Sequence, residues 1–402
     1  MILSTITAAA LVFAFAAEDS SGAETATPTP ATTASPTGTA TPTTKAEELT
    51  LSLQPINAER AVAFKADRLY LGDGKHIDDG IVLVQDGVIH KVGSDVQIPE
   101  GVSVIELKGM LSPGLIASHG YEGLGGESTD STRAVLPEAD ISIAFKPSHL
   151  DFAASLEAGV TSIVLAPSTS MLVPGTTAVV KTAGGKIVRR PAQLQVVLSG
   201  DALSYNRFPT SHAGAMAELD RLFSEPEGQI ARAVSGNLPV LIAVNDRADI
   251  ARATDFAGRY RLRGALYGSI WAEDVIDLIA GSGLGVVCDP FDVGDDGRSM
   301  RSVVALANRG VRLGFGLDAP GRSPENLRFG AALCVREGLD PKLALKAMCG
   351  DAAAIAGVER RVGRLERGLD ADLVLWSGDP TELTSSVLAV YIDGKLVHGG
   401  GE

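Results

Sequence analysis

The stretch Val240-Leu-Ile-Ala-Val244 is followed by Ala248–Tyr260 and then by Gly264-Ala-Leu-Tyr267. The first and third segments are short and apolar, whereas the segment between them mixes polar and apolar residues over a helical length. An apolar run without alternation is typical of a strand buried on both faces, as in a parallel sheet. These residues therefore predict a strand, a helix and a second, parallel strand.

The same alternation continues through residues 109–359. Other apolar runs are predicted as strands, and the stretches between them as helices. The further strands are Val160–Leu165, Leu194–Leu198, Gly285–Cys288 and Leu313–Gly316; the further helices are Ala213–Phe223, Trp271–Ala280, Arg301–Asn308 and Pro324–Arg336. Strand–helix repetition over about 250 residues is the size of a (β/α)8 barrel. The pattern therefore predicts an α/β fold with a TIM-like barrel over 109–359, with a doubly wound open sheet as the alternative.

Both ends of the folded region carry short strand patterns. Residues 50–108 contain apolar runs joined by the turn sequence Asp86-Gly87, and residues 360–402 contain a similar pair joined by Asp393-Gly394. Asp-Gly between two apolar runs is typical of a β-hairpin. We expect the two ends to form one composite β-sandwich domain beside the barrel.

The amino-terminal residues are predicted to direct export. Residues 2–17 form one apolar run that is too short to span a bilayer as a helix and ends in Ala14-Phe15-Ala16. This predicts a signal peptide over 1–17 and a periplasmic or cell-envelope location, without a stable membrane span. No Lys or Arg precedes the run, so an uncleaved anchor is the alternative. Residues 18–49, rich in Ala, Thr and Pro, are predicted to be a disordered linker.

Composition limits the classes of partner. The 402 residues carry a formal net charge of −14, which argues against nucleic acid and anionic membranes as partners. The three cysteines, Cys288, Cys334 and Cys349, lack any C-x-x-C spacing, so neither a disulfide framework nor a cysteine zinc site is predicted.

Several segments resemble the amidohydrolase superfamily. The carboxyl-terminal stretch Gly368–Pro380, with Ala-Asp-Leu-Val-Leu-Trp inside it, and Val390–Val397 are similar to that family's closing signature. Leu111-Ser-Pro-Gly-Leu-Ile-Ala-Ser-His119 is similar to its first metal-binding strand. Gly159–Val164 and Pro174–Lys181 resemble the imidazolonepropionase-like subgroup. The resemblance covers almost all of residues 60–399 and implies a barrel of a metal-dependent hydrolase lineage that acts on C–N bonds other than peptide bonds.

The resemblance also implies a metal centre, and most of its ligands are absent here. The family's H-x-H pair corresponds to His119 and Tyr121, and no H-x-H occurs among the six histidines. The positions of two later histidines correspond to Ala243 and Tyr267. Asp318, followed by Ala and Pro, corresponds to the aspartate that binds metal and takes a proton from water. We therefore predict His119 and Asp318 as a remnant metal site, Asp318 as the catalytic residue, and Tyr121, Ala243 and Tyr267 as pocket residues.

Other candidates are less specific. Lys181 could be a carboxylated lysine, although a solvated strand end is the favoured interpretation. Neither His149 nor His212 ends a predicted strand. Four acidic residues offer oxygen ligands for Mg or Ca at generic spacings; they are Glu122, Asp246, Asp249 and Asp289.

Three functions are compatible with these patterns. The first is an exported amidohydrolase-like protein with an eroded metal centre, without a cofactor, whose barrel pocket binds a small molecule or a partner. The second is an active hydrolase with a mononuclear or atypical zinc site at His119 and Asp318. The third is an interaction module, which predicts a large apolar surface patch and no deep pocket. A homodimer is expected only from the family resemblance.

Overall fold

The computed structural model describes residues 56–400, apart from 126–127, 129, 131, 269–273 and 318–320. The predicted signal peptide and linker therefore lie outside the described residues. The strands are, in chain order, β1 Ala61–Tyr70, β2 His76–Gln85, β3 Val88–Gly93, β4 Ser103–Pro113, β5 Leu115–Gly120, β6 Val160–Leu165, β7 Gly175–Thr176, β8 Ala178–Lys181, β9 Ile187–Arg189, β10 Leu194–Val197, β11 Val240–Ala243, β12 Gly264–Gly268, β13 Gly285–Cys288, β14 Leu313–Phe315, β15 Leu373–Trp376, β16 Val387–Ile392 and β17 Lys395–Gly399.

Helices alternate with the later strands. They are α1 Asp151–Glu157, α2 His212–Ser224, α3 Gly228–Val234, α4 Arg247–Arg259, α5 Ile276–Ser282, α6 Gly297–Asn308, α7 Asn326–Arg336, α8 Pro341–Met348 and α9 Gly350–Ala356. The predicted helices are present, with ends that differ by a few residues. The largest difference is at the start of α5, which is predicted at Trp271 and lies at Ile276 in the structure. Positions 271–273 are outside the described residues. In the described part of the chain, no helix combines the length and the apolarity needed to cross a membrane.

One seven-stranded sheet contains strands from both chain ends, in the order β17-β16-β15-β4-β1-β2-β3. The predicted hairpin turns are both present. Asp86 and Gly87 have φ of 54° and 81°, and Asp393 and Gly394 have φ of 50° and 71°. Two consecutive residues with positive φ are typical of the tight turn that joins antiparallel strands. The strand β4 continues to Pro113, so it links this sheet directly to β5.

A six-stranded sheet has the order β14-β13-β12-β11-β10-β7, and its strands β10 to β14 are all parallel. All four residues of β11 are buried, as expected for a strand covered on both faces. The α/β prediction is confirmed. A further four-stranded sheet has the order β5-β6-β8-β9, with β5 and β6 parallel.

The first and last of these parallel strands meet at their carboxyl ends. The backbone N–H of Leu317, two residues after β14, donates to the carbonyl oxygen of His119 in β5 at 2.7 Å. Helix α9 packs against both β5 and β14. The chain after β14 is therefore held beside the residues that resemble a metal-binding strand.

Lys181 corrects one prediction. It ends β8, as expected, but its side chain is fully buried rather than solvated. Its Nζ lies 2.8 Å from Asp370 Oδ2, 2.9 Å from Asp372 Oδ1 and 2.5 Å from Asp393 Oδ1. Although burial lowers the pKa of Lys181, these carboxylates hold it above its ordinary value. The local sequence could not show this, because all three partners come from the far end of the chain.

Candidate functional site

The site is built around His119 in β5. All six residues of this strand are buried, and His119 is only 1 % exposed. Its ring stacks on the ring of Tyr267, with centroids 3.7 Å apart and an interplanar angle of 12°. The ring of Tyr121 meets it edge-on at a centroid distance of 5.1 Å. Two tyrosines from different strand ends therefore enclose this histidine.

Burial determines the charge of His119. Removal from water disfavours the charged imidazolium and lowers the pKa of His119 to about 3. Its Nε2 atom is buried and has no hydrogen-bond partner among the described residues. His119 is therefore a neutral imidazole at pH 7, with one ring nitrogen that no described group satisfies.

A cleft of about 630 Å³ opens at the carboxyl ends of the parallel strands. Ala243 ends β11, Tyr267 lies at the end of β12, and Asp289 directly follows β13. Polar and aromatic side chains from several strand ends share this space; they include Tyr121, Asp201, Ala243, Asn245, Tyr267 and Asp289. The carboxyl ends of parallel strands are where α/β proteins commonly bind ligands.

The structure brings the three predicted pocket residues together. Tyr121, Ala243 and Tyr267 all line the cleft, and His119 packs against two of them. Asp318 lies outside the described residues. The preceding residue, Leu317, donates its backbone N–H to the carbonyl oxygen of His119.

Comparisons with known proteins show which sequences and structures this chain resembles. The sequence profile of the amidohydrolase family matches residues 285–397. An amidohydrolase structure from Thermotoga maritima MSB8 superimposes with a TM-score of 0.75 and 24% identity, covering 84% of this chain and 100% of that one. An imidazolonepropionase from Shewanella piezotolerans is 38% identical over 87 residues. Residues 285–397 therefore carry the sequence pattern of the amidohydrolase family, and the chain shares the fold of a solved amidohydrolase.

Other solved structures share the fold at lower identity. A Xaa-Pro dipeptidase with methionine bound in its active site has a TM-score of 0.59 at 14% identity, covering 84% of this chain and 100% of its own. The ochratoxinase of A. niger has a TM-score of 0.56 at 18% identity, covering 85% and 96%. The match to the imidazolonepropionase spans only 20% of this chain and 21% of that relative. At these identities, the structural similarities show the fold alone.

The remaining histidines of the chain lie on other elements. His76, His90 and His398 lie in β2, β3 and β17 of the seven-stranded sheet. His149 precedes α1, where its Nδ1 lies 3.0 Å from Asp151 Oδ2, and His212 is the first residue of α2.

The proposed set of oxygen ligands is also dispersed. Asp246 caps α4 by accepting from the N–H of Asp249. The carboxylate of Asp249 accepts from the N–H of Asn245 and pairs with Arg252. Glu122 is fully buried, and Asp289 lines the cleft. Among the described residues, no three His, Cys, Asp or Glu side chains are placed to hold a metal ion together. These four carboxylates therefore do not form a shared Mg or Ca site.

The described residues fit a catalytic metal poorly. A catalytic zinc site uses about three protein ligands and one open position. His119 supplies one unsatisfied nitrogen, but its ring neighbours are Tyr121 and Tyr267, and Ala243 has no donor atom. Among the described residues at this site, His119 therefore offers one nitrogen ligand.

Sequence analysis did not predict several polar residues of the cleft. Asp201 and Asn245 line it and are joined to each other, since Asn245 Nδ2 donates to Asp201 Oδ2 at 3.0 Å. Arg322 also lines it and pairs with Asp292 at 3.1 Å. A usable signal was available for two of them, because Asp201 and Asn245 follow the carboxyl ends of the buried strands β10 and β11.

Proposed function

We propose that this is an exported amidohydrolase-like protein that has lost its metal centre and uses its strand-end cleft to bind a small molecule. The family match over residues 285–397 and the similarity in fold to an amidohydrolase support descent from hydrolases. The surroundings of His119 carry the specific proposal. At the described positions where family resemblance places further histidine ligands, the chain has two tyrosine rings packed on His119 and one alanine.

The chemistry of these replacements explains why we expect the metal centre to be lost. Tyrosine is a neutral phenol at pH 7, so it replaces a nitrogen lone pair by an aromatic surface and a hydroxyl group. Stacking of Tyr267 on His119 fills the space beside the imidazole with apolar atoms. Ala243 contributes only a methyl group. Such changes leave a cleft that can hold an organic ligand while removing the donors that would hold an ion.

The remaining parts of the proposal concern fold and location. We propose that the parallel strands close into a TIM-like barrel, which the hydrogen bond from Leu317 to His119 between its first and last strands supports. We further propose a sandwich arrangement for the composite domain, and a homodimer by analogy with the superfamily. Export is proposed from residues 2–17 and 18–49 alone. The cleft argues against a purely structural module, for which no deep pocket was expected.

An active hydrolase with a mononuclear site at His119 and Asp318 is the second candidate. One observation favours it, namely the buried Nε2 of His119 without a hydrogen-bond partner in the described part of the chain. An unsatisfied buried nitrogen costs about 1–3 kcal/mol, and a bound ion would remove that cost.

Zinc-dependent thermal stabilisation distinguishes the two candidates. Because ligands that bind only the native state raise the melting temperature, ZnCl2 should leave that of the wild-type protein unchanged. The double variant Tyr121→His/Ala243→His supplies two imidazoles near His119, and we expect zinc to raise its melting temperature. A zinc-dependent rise in the wild type that His119→Ala abolishes would favour the active hydrolase.

A further inference from the structure

We propose that the cleft selects a small organic cation, such as a primary amine or a quaternary ammonium compound. This inference rests on the proposed function of the cleft as a small-molecule site and adds the chemical class of the ligand. It follows from the balance of charge on the cleft walls, from how the charged groups are held, and from the aromatic rings beside them.

Four carboxylates and one guanidinium group line the cleft; they belong to Asp201, Asp289, Asp295, Asp296 and Arg322. The guanidinium of Arg322 is paired with Asp292 at 3.1 Å, and Asp296 is paired with Arg298 at 2.8 Å. Within each of these two ion pairs, the positive and the negative charge neutralise each other. The cationic side chain in the cleft is therefore already engaged, so the cleft offers little to an anionic ligand.

Asp201 and Asp295 have no basic partner in the described part of the chain. The undescribed positions between 56 and 400 contain no Lys, Arg or His, so they cannot supply one. Neutral donors hold both carboxylates. Asp201 Oδ2 accepts from Ser199 Oγ and from Asn245 Nδ2, both at 3.0 Å, and Asp295 Oδ2 accepts from the N–H of Asp292 at 2.7 Å. Such hydrogen bonds orient a carboxylate without cancelling its charge.

The two charges come from different sides of the strand array. Asp201 follows β10 and Asp295 follows β13, with β11 and β12 between them. Three strand spacings correspond to about 14 Å. A cation entering the cleft is therefore attracted by both carboxylates, and their like charges repel an anion.

Aromatic rings complete the cation-binding surface. Tyr121, Tyr267 and Phe291 line the same cleft. The face of an aromatic ring attracts organic ammonium groups, and this attraction strengthens when water is excluded. Carboxylates combined with aromatic rings favour an organic cation over a strongly hydrated inorganic ion, because the rings also contact its hydrocarbon part. The cleft volume of about 630 Å³ suits a small molecule.

Three probes of similar size and different charge test this assignment by titration calorimetry in EDTA: benzylamine, benzyl alcohol and benzoate. We expect benzylamine to bind at least about tenfold more tightly than benzyl alcohol, a difference of about 1.4 kcal/mol, and benzoate to bind most weakly. The variant Asp201→Asn/Asp295→Asn should lose about tenfold in benzylamine affinity and keep its affinity for benzyl alcohol. Asp95→Asn, an exposed aspartate that does not line the cleft, is the matched control.

The assignment is overturned if the three probes bind equally, if benzoate binds best, if none binds, or if the double variant retains benzylamine affinity. If circular dichroism shows that this variant is unfolded, the salt dependence of binding to the wild type is measured instead. In 0.5 M NaCl, the affinity for benzylamine should fall and the affinity for benzyl alcohol should stay unchanged. Zinc content is measured on the same preparation. A zinc-loaded protein that prefers benzylamine would overturn the proposed metal loss alone, whereas a metal-free protein without that preference would overturn the cation assignment alone.

Discussion

Replacing Lys181 by methionine should lower the free energy of unfolding by about 3–5 kcal/mol, because it leaves the buried carboxylate of Asp372 without its counter-ion. Lys181 Nζ lies within 2.9 Å of three aspartates, and Asp372 is 4 % exposed. Burial raises the pKa of Asp372 even beside this ammonium group. Because small domains are stable by only about 5–15 kcal/mol, this single change should be visible in urea unfolding monitored by circular dichroism.

Lys65→Met is the matched control for that change. Lys65 forms an ion pair with Glu106 at 3.6 Å, and both side chains are at least half exposed. Exposed pairs of this kind contribute about 0–1 kcal/mol, so the control should unfold almost like the wild type. The double variant Lys181→Met/Asp372→Asn should recover part of the lost stability, since it removes one uncompensated charge. Equal effects of Lys181→Met and Lys65→Met would contradict the assigned role of the buried cluster.

Acidification should destabilise the wild type more than a variant without His119. The pKa of His119 falls from its ordinary value of about 6.5 to about 3 on folding, because burial excludes the charged form. Between these values the unfolded state binds a proton that the native state does not, so stability falls as the pH is lowered. From pH 7 to pH 5, the free energy of unfolding of the wild type should fall by about 2 kcal/mol more than that of His119→Gln.

Urea unfolding in EDTA at the two pH values measures this difference. His76→Gln serves as the control, because His76 lies exposed on β2 in the other sheet. It should lose the same stability on acidification as the wild type. An identical pH dependence in wild type and His119→Gln would show that His119 is not held as a buried neutral imidazole.

Much of the fold follows from local sequence patterns. The buried runs Val240–Val244 and Gly285–Cys288 form parallel strands, and Asp86-Gly87 and Asp393-Gly394 form hairpin turns. Strand pairing needs only alternation or continuity of apolar residues, and a tight turn needs only two residues that tolerate positive φ. These features can be recognised within a few residues of sequence.

The buried ion cluster could not be predicted in this way. Lys181 ends an apolar strand, and Asp372 and Asp393 are 191 and 212 residues away. A lone lysine at a strand end is usually solvated, and only the aspartates that precede β15 and follow β16 reverse that expectation. The energetics of such a residue depend on partners that local patterns do not contain.

The candidate site was predictable in part. Family resemblance aligned Tyr121, Ala243 and Tyr267 with strand ends, and the structure places these three in one cleft. The stacking of Tyr267 on His119 depends on side-chain orientations across the sheet, which spacing does not determine. Asp201 and Asn245 lie in loops after strands, so their place beyond the strand ends is a usable signal, but apolar periodicity does not specify which polar residue occurs there. The charge of the cleft could therefore not be predicted from the strand pattern.

Metal content most directly tests the loss of the metal centre. The protein is produced in medium supplemented with zinc and manganese, purified without chelator, and analysed by plasma mass spectrometry together with His119→Ala and Asp318→Asn. We expect far less than one metal ion per chain in all three proteins, without a difference between them. About one ion per wild-type chain, reduced in both variants, would contradict the account and establish a metal site at His119 and Asp318.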